Sequence, residues 1–267
     1  MPLVRVRGKD IEYEQSGRGP DLLLVHSLLT DASVFERIVP ALARDHRVTC
    51  INLPGFGASS AVELASVADY ADHVAAIMDA LALPKTTHVF GNGFGAFVVL
   101  EAAIRHGGRL GRVVVADVVP TFPDAAKAPF RGMAAKVREG GMAAVLDTAI
   151  GRMFPPQFQA DFPDVVRKRK ECLARVNAGG FARACLALAD LDLRPRLATI
   201  RNPTLVMCGA LDQTTPPALA REVAQALPGA SYEEIAGSGH CPMLEQPEAL
   251  VAAMGAFIDK ARAATRS

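Results

Sequence analysis

The sequence has no excess of either charge. Its 29 Lys and Arg stand against 28 Asp and Glu, a formal net charge of +1. Such a balance lacks the basic field that draws nucleic acid or an anionic membrane, and neither is expected as a partner. No apolar run approaches the ~18 residues needed to span a bilayer. The opening residues, Met1 to Arg7, lack the apolar stretch of a signal peptide and read as a strand. A disulfide framework is missing too. The five cysteines (Cys50, Cys172, Cys185, Cys208 and Cys241) are odd in number and without metal-ligand spacing. Reduced thiols and a cytoplasmic protein are therefore expected. Cys241 stands apart only because it follows His240, a position open to a chemical role. There is no internal repeat and no low-complexity tract. The last absence is a single side chain: the centre of Gly91-Asn92-Gly93-Phe94-Gly95, between an expected strand and an expected helix, carries no oxygen.

What is present is a long alternation. Half of the 267 residues are hydrophobic, enough for one large α/β domain or a core with an inserted subdomain. Strand-like runs are Leu3 to Arg7, Ile11 to Ser16, Leu22 to Val25, Arg47 to Asn52, Thr87 to Phe90, Val113 to Val118, Thr204 to Cys208 and Ser231 to Ile235. Several are continuously apolar, as in strands buried on both faces. Helical spacing falls between them: Ser33 to Arg44, Val67 to Leu83, Ala96 to Arg105, Pro217 to Leu227 and Glu248 to Ala264. Strands alternating with helices predict a mostly parallel sheet covered on both sides. From Pro120 to about Pro195 the alternation stops, and four helical segments predict an all-helical insertion (Phe130 to Arg138, Ala143 to Phe154, Val165 to Val176, Phe181 to Leu191). The expected division is a core of residues 1–119 plus 197–267 and a helical cap of residues 120–196.

Two further residues suggest acid–base chemistry. His240 is the only one of six histidines in a glycine-rich loop, Gly237-Ser238-Gly239-His240, after the last strand. A catalytic base is the sharper reading; a surface loop histidine is the plainer one. Asp212 closes the strand-and-turn segment Thr204 to Asp212, where a carboxylate can accept from a histidine Nδ1 and fix its tautomer. Its plainer reading is a turn or helix-capping aspartate before Pro216. Asp117, at another strand end, is the competing acid.

The five-residue segment around Gly93 matches Gly-x-Ser-x-Gly at every position but the serine. That motif is the nucleophile elbow of the α/β-hydrolases. The chain resembles that superfamily over essentially its whole length, and is most similar to the 3-oxoadipate enol-lactonase group. The likeness rests on Val25 to Asp31, Leu53-Pro54-Gly55-Phe56-Gly57-Ala58-Ser59, the elbow, Arg138 to Ala144, Gly209-Ala210-Leu211-Asp212, and Gly239-His240 followed by Glu245-Gln246-Pro247-Glu248. Carbon–carbon bond hydrolases of aromatic-degradation pathways are the nearest competitors, with a similar elbow.

The resemblance implies an α/β-hydrolase fold with a mostly parallel eight-stranded sheet and a helical cap inserted after the sixth strand. It implies hydrolysis of a small carboxylic ester or enol-lactone by position 93, Asp212 and His240, in the chain order nucleophile, acid, histidine. Oxyanion donors would be the N–H groups of Leu28, or with less support Ser27, and of Phe94. Ser27, Asn92, Arg131 and Arg138 are candidate substrate contacts, and Arg152 is a third arginine able to meet a carboxylate. No metal or organic cofactor is implied. A small-molecule substrate is the expected partner, with homodimerisation left open.

Glycine at 93 admits several readings. The chain is a serine enzyme disabled at its nucleophile to trap a ligand and so inactivated or strongly impaired; or an enzyme in which His240 activates water; or a non-catalytic binding relative; or an enzyme in which Ser27 attacks instead.

Overall fold

The computed structural model describes residues 1–259; the end of the last expected helix, beyond Asp259, lies outside the described residues. Eight strands form one sheet: β1 (Leu3–Val6), β2 (Lys9–Ser16), β3 (Asp21–Val25), β4 (Arg47–Ile51), β5 (His88–Asn92), β6 (Val113–Ala116), β7 (Thr204–Gly209) and β8 (Ser231–Ile235). Their order across the sheet is β1-β2-β4-β3-β5-β6-β7-β8. β2 runs antiparallel to β1 and β4, and every other pairing is parallel. The runs Leu22-Leu23-Leu24-Val25 and Val113-Val114-Val115 are wholly buried, which is why they are continuously apolar instead of alternating.

The strand order reverses between β3 and β5. The chain leaves β3 toward β4 on one side, then returns to β5 on the other. A crevice opens at such a switch point, beyond the carboxyl ends of the two strands. Val25 pairs with Gly91 in the register of β3 and β5. Ser27 and Gly93 therefore both stand two residues past the same rung.

Helices connect the strands. α1 (Val39–Leu42) is short, α2 covers Val67–Ala80 and α3 covers Phe94–His106. α2 starts in a capping box: Ser66 Oγ accepts from the Asp69 N–H, and the Asp69 carboxylate accepts from the Ser66 N–H. The helix expected over Ser33 to Arg44 is corrected. Only a 3₁₀ turn (Ala32–Phe35) and α1 form there. Val34, Ile38 and Leu42 are nevertheless buried. The apolar spacing was real, but Pro40 has no N–H to continue a ladder and sits where α1 begins.

Between β6 and β7 lie α4 (Asp124–Gly140), α5 (Leu146–Met153), α6 (Pro156–Asp161), α7 (Pro163–Ala174) and α8 (Ala178–Ala189). α4 packs on α8, burying Phe130, Met133, Ala134 and Val137, a stripe at helical spacing. α9 (Pro217–Ala226), α10 (Pro242–Glu245) and α11 (Pro247–Ile258) complete the order.

Candidate active site

Gly93 follows β5 and caps α3 with φ 51° and ψ −118°. That conformation is rare for residues with a Cβ and cheap for glycine. The flanking glycines serve a close approach: a Cβ on Gly95 would stand 2.1 Å from the Val25 carbonyl oxygen, and one on Gly91 would stand 2.3 Å from the Gly95 carbonyl oxygen. The turn thus brings the first N–H groups of α3 against the end of β3. Among the described residues, neither the Leu28 nor the Phe94 N–H has a protein acceptor. Two free donors beside a helix N-terminus suit a developing negative charge.

The loop bearing Leu28 is fixed from behind. His26 is fully buried; its Nδ1 lies 2.7 Å from the Ser27 carbonyl oxygen, and its Nε2 lies 3.0 Å from the Leu53 N–H. This assigns the proton to Nδ1. Burial lowers its pKa to about 4, so the ring is neutral. Thr30 adds its N–H and hydroxyl to the same Ser27 carbonyl oxygen.

His240 and Asp212 come together from the loops after β8 and β7. The imidazole Nδ1 lies 2.8 Å from Asp212 Oδ2. Thr215 Oγ1 donates to the same oxygen at 2.5 Å, while the Thr214 and Thr215 N–H groups donate to Oδ1. Burial disfavours the imidazolium, but the Asp212 charge and hydrogen bond outweigh it, with Asp117 adding, and raise His240 to about 9. Burial alone would push Asp212 up; the His240 charge and the donors from His240 and Thr215 hold it low instead. Both shifts favour the imidazolium–carboxylate form of the pair.

The free face of the ring looks toward Gly93: His240 Nε2 lies 3.0 Å from the point where a Cβ on residue 93 would stand. Glu245 holds the loop by accepting from the Gly239 and Cys241 N–H groups, one on each side of the histidine. The His240 N–H itself donates to the Met153 carbonyl oxygen at the end of α5.

Asp117 lies close by but is not the histidine's partner. It accepts from Asn92 Nδ2 at 2.6 Å and from the Gly209 N–H at 2.9 Å. Burial, then the Asp212 charge, raises its pKa. Its φ of 59° is uncommon for a residue with a side chain. Donor atoms of Asp117, Asp212 and His240 fall within 4.8 Å of one another, the spread of a small metal site. They are already engaged by each other and by N–H donors, which leaves a cation poorly provided for.

A cavity of about 30 Å³ sits over Gly93, walled by Ser27, Leu28, Phe94, Phe97, Phe130, Met133, Arg152, Leu188 and His240, among others. It has room for one or two waters and is mostly apolar. On the outer side of the dyad a groove of about 920 Å³ runs between Gly151–Pro156 of the insertion and Leu211–Thr214 of the core. Arg152, Thr214 and His240 border both spaces.

Of the candidate residues, Gly93, Asp212, His240, Leu28, Phe94 and Ser27 converge here. Three do not. Asn92 is fully buried beneath the site, tying Asp117 to the His240 carbonyl oxygen. Arg131 is exposed and pairs with Asp190, and Arg138 is exposed as well. Both lie off the buried stripe of α4, whose spacing was the signal that could have excluded them. Arg152 is the arginine that reaches the cavity. Cys241 is buried and burial drives its thiol pKa far up, so it stays a protonated thiol. Sequence reasoning missed the supporting roles of Thr215 and Glu245 and the link between Asn92 and Asp117, because those contacts form only once the chain is folded.

Comparison with known proteins identifies the family. The chain is 31% identical over 242 residues to 3-oxoadipate enol-lactonase 2 of Acinetobacter baylyi, covering 90% of this chain and 89% of that one. It is 30% identical to a pimeloyl-[acyl-carrier protein] methyl ester esterase of Aeromonas hydrophila, covering 93% and 99%. The crystal structure of the enol-lactonase from Burkholderia xenovorans superposes with a TM-score of 0.91 at 28% identity, covering 97% of this chain and all of that one. The model of the alpha/beta hydrolase family matches residues 22–253, and to that family this chain belongs.

Proposed function

We propose that this hydrolase cleaves a small carboxylic ester or enol-lactone, with turnover strongly impaired because residue 93 offers no attacking oxygen. One observation carries the reading: an imidazole tied at Nδ1 to a carboxylate aims Nε2 at the empty Cβ point of residue 93. His240 takes the proton of an oxygen nucleophile in the cavity and later delivers it to the leaving oxygen. Asp212 holds the ring and balances the imidazolium. The N–H groups of Leu28 and Phe94 receive the oxyanion. Relatives whose names specify an enol-lactone and a methyl ester support oxygen-ester chemistry over carbon–carbon cleavage.

Arg152 bears on the substrate. It is the one permanently charged side chain in the cavity wall. Its guanidinium lies over the Phe130 ring, 5.1 Å from the centroid, and forms no direct ion pair among the described residues, Asp212 acting on it only through space. Such a cation favours a substrate bearing a carboxylate. Arg152→Gln is expected to raise KM about 10-fold or more for an anionic ester, the worth of one charge-assisted contact, with kcat nearly kept. KM for a neutral ester of the same size stays as it was. Equal KM changes for both esters would remove Arg152 from recognition.

The reading itself is tested by steady-state turnover of p-nitrophenyl acetate and a small lactone by the wild type and Gly93→Ser. Turnover that appears or rises sharply in the serine form is the expected result. Silence in both forms, with a small molecule bound in the groove beside His240, would favour a non-catalytic ligand-binding protein.

A further inference from the structure

The place left by the missing side chain is filled from the neighbouring loop. A Cβ built on Gly93 would meet Ser27 Oγ at 2.3 Å and Ser27 Cβ at 3.0 Å, with His240 Nε2 also at 3.0 Å. The Ser27 hydroxyl and the imidazole nitrogen thus border the same point. Among the described residues that hydroxyl has no hydrogen-bond partner, although Ser27 is only 2% exposed. It borders the cavity over Gly93.

Positions 27 and 93 are also equivalent in the scaffold. Each stands two residues past the paired Val25 and Gly91 at the switch point. Each is followed by an N–H without a protein acceptor, Leu28 in one case and Phe94 in the other. A hydroxyl moved from 93 to 27 keeps both the base and an oxyanion donor on the next residue. The Ser27 carbonyl oxygen receives three donors, from His26, Thr30 N–H and Thr30 Oγ1, so the loop is held for the task.

We propose that Ser27 Oγ is the nucleophile of this hydrolase. The inference rests on the ester or lactone hydrolysis proposed above and names the oxygen that performs it. The step requires Oγ to turn toward Nε2, which borders the same point. His240 takes the hydroxyl proton as Oγ bonds to the substrate carbonyl carbon. The carbon–oxygen bond to the leaving group breaks, and the leaving oxygen carries that proton away. Water then attacks the acyl-Ser27 carbon, passing a proton to His240. The Oγ–carbon bond breaks, the acid departs, and Ser27 regains the proton.

The test is acid-quenched reaction of the wild-type protein with p-nitrophenyl acetate, followed by peptide mass spectrometry. One acetyl group on the peptide containing Ser27 is expected, and Ser27→Ala should lower residual kcat by at least about 10²-fold. The double variant Ser27→Ala/Gly93→Ser should turn over, which separates loss of the hydroxyl from loss of the fold. Wild-type rates in Ser27→Ala, or turnover with no acyl-Ser27, would overturn the assignment in favour of water attacking directly while leaving the hydrolase reading intact. Silence in every form, Gly93→Ser included, would overturn both.

Discussion

At the scale of single residues, the site turns on what Gly93 gives up and what it gains. An L-residue at φ 51° carries backbone strain of order 1–3 kcal/mol, which glycine avoids. Gly93→Ser should therefore lower unfolding free energy by about that amount, and Ser27 must swing aside to admit the new Cβ. The same variant should raise kcat by several orders of magnitude, since loss of a triad nucleophile costs ~10⁶. Denaturant titration and turnover on one sample check both. The base has its own signature. With His240 raised to about 9, the neutral imidazole is scarce at pH 7. kcat/KM should climb with pH and level off only above about 9. Asp212→Asn removes the group that raises this pKa. It should shift the profile to lower pH and reduce kcat by about 10⁴-fold. A profile that is flat between pH 6 and 10 would mean that His240 is not the base.

At the scale of elements, short connections do the positioning. Glu245, in the four-residue α10, brackets His240 through two N–H groups. Glu245→Ala leaves both donors buried without an acceptor. It should cost about 2–4 kcal/mol in unfolding free energy, with a fall in kcat larger than any change in KM. A purely structural role would lower stability and spare kcat in the folded fraction. The sequence told more about regular elements than about these links. β3 and β6 were legible because strands buried on both faces are forced to be apolar throughout. The segment from Ser33 was not, because Pro40 broke a ladder that the apolar period alone cannot see. α6, six residues long, is too short for a period to register. Asp212 and His240 were legible because their loops carry recognisable local sequence. Arg131 and Arg138 were misplaced because a charge on a helix says nothing of its direction until the buried stripe is drawn.

For the whole molecule, buried ionisable groups set how stability depends on pH. His26 and His73 are driven by burial to about 4 from an ordinary 6.5. The unfolded chain takes up those protons first, so stability falls as pH drops from 6.5 toward 4. His240 has the opposite sign. Its stabilising contribution is full below 6.5 and is lost as pH rises through about 9. Asp117, raised by burial and by Asp212, also weakens the folded state as pH climbs. Asp212, held low, contributes above its ordinary range and loses that contribution only in strong acid. Urea midpoints measured across pH should peak near 6.5. Substituting His240 by Gln should flatten the alkaline side; an unchanged alkaline decline would remove His240 from that role. No helix among the described residues is long and apolar enough to cross a membrane.

The main-chain link from the His240 N–H to the Met153 carbonyl oxygen joins the core loop to the inserted helices. Any displacement of the end of α5 from the core would break that link and loosen the backbone that carries the imidazole. The orientation of the ring is thus tied to the seating of a helix that is remote from it in the chain.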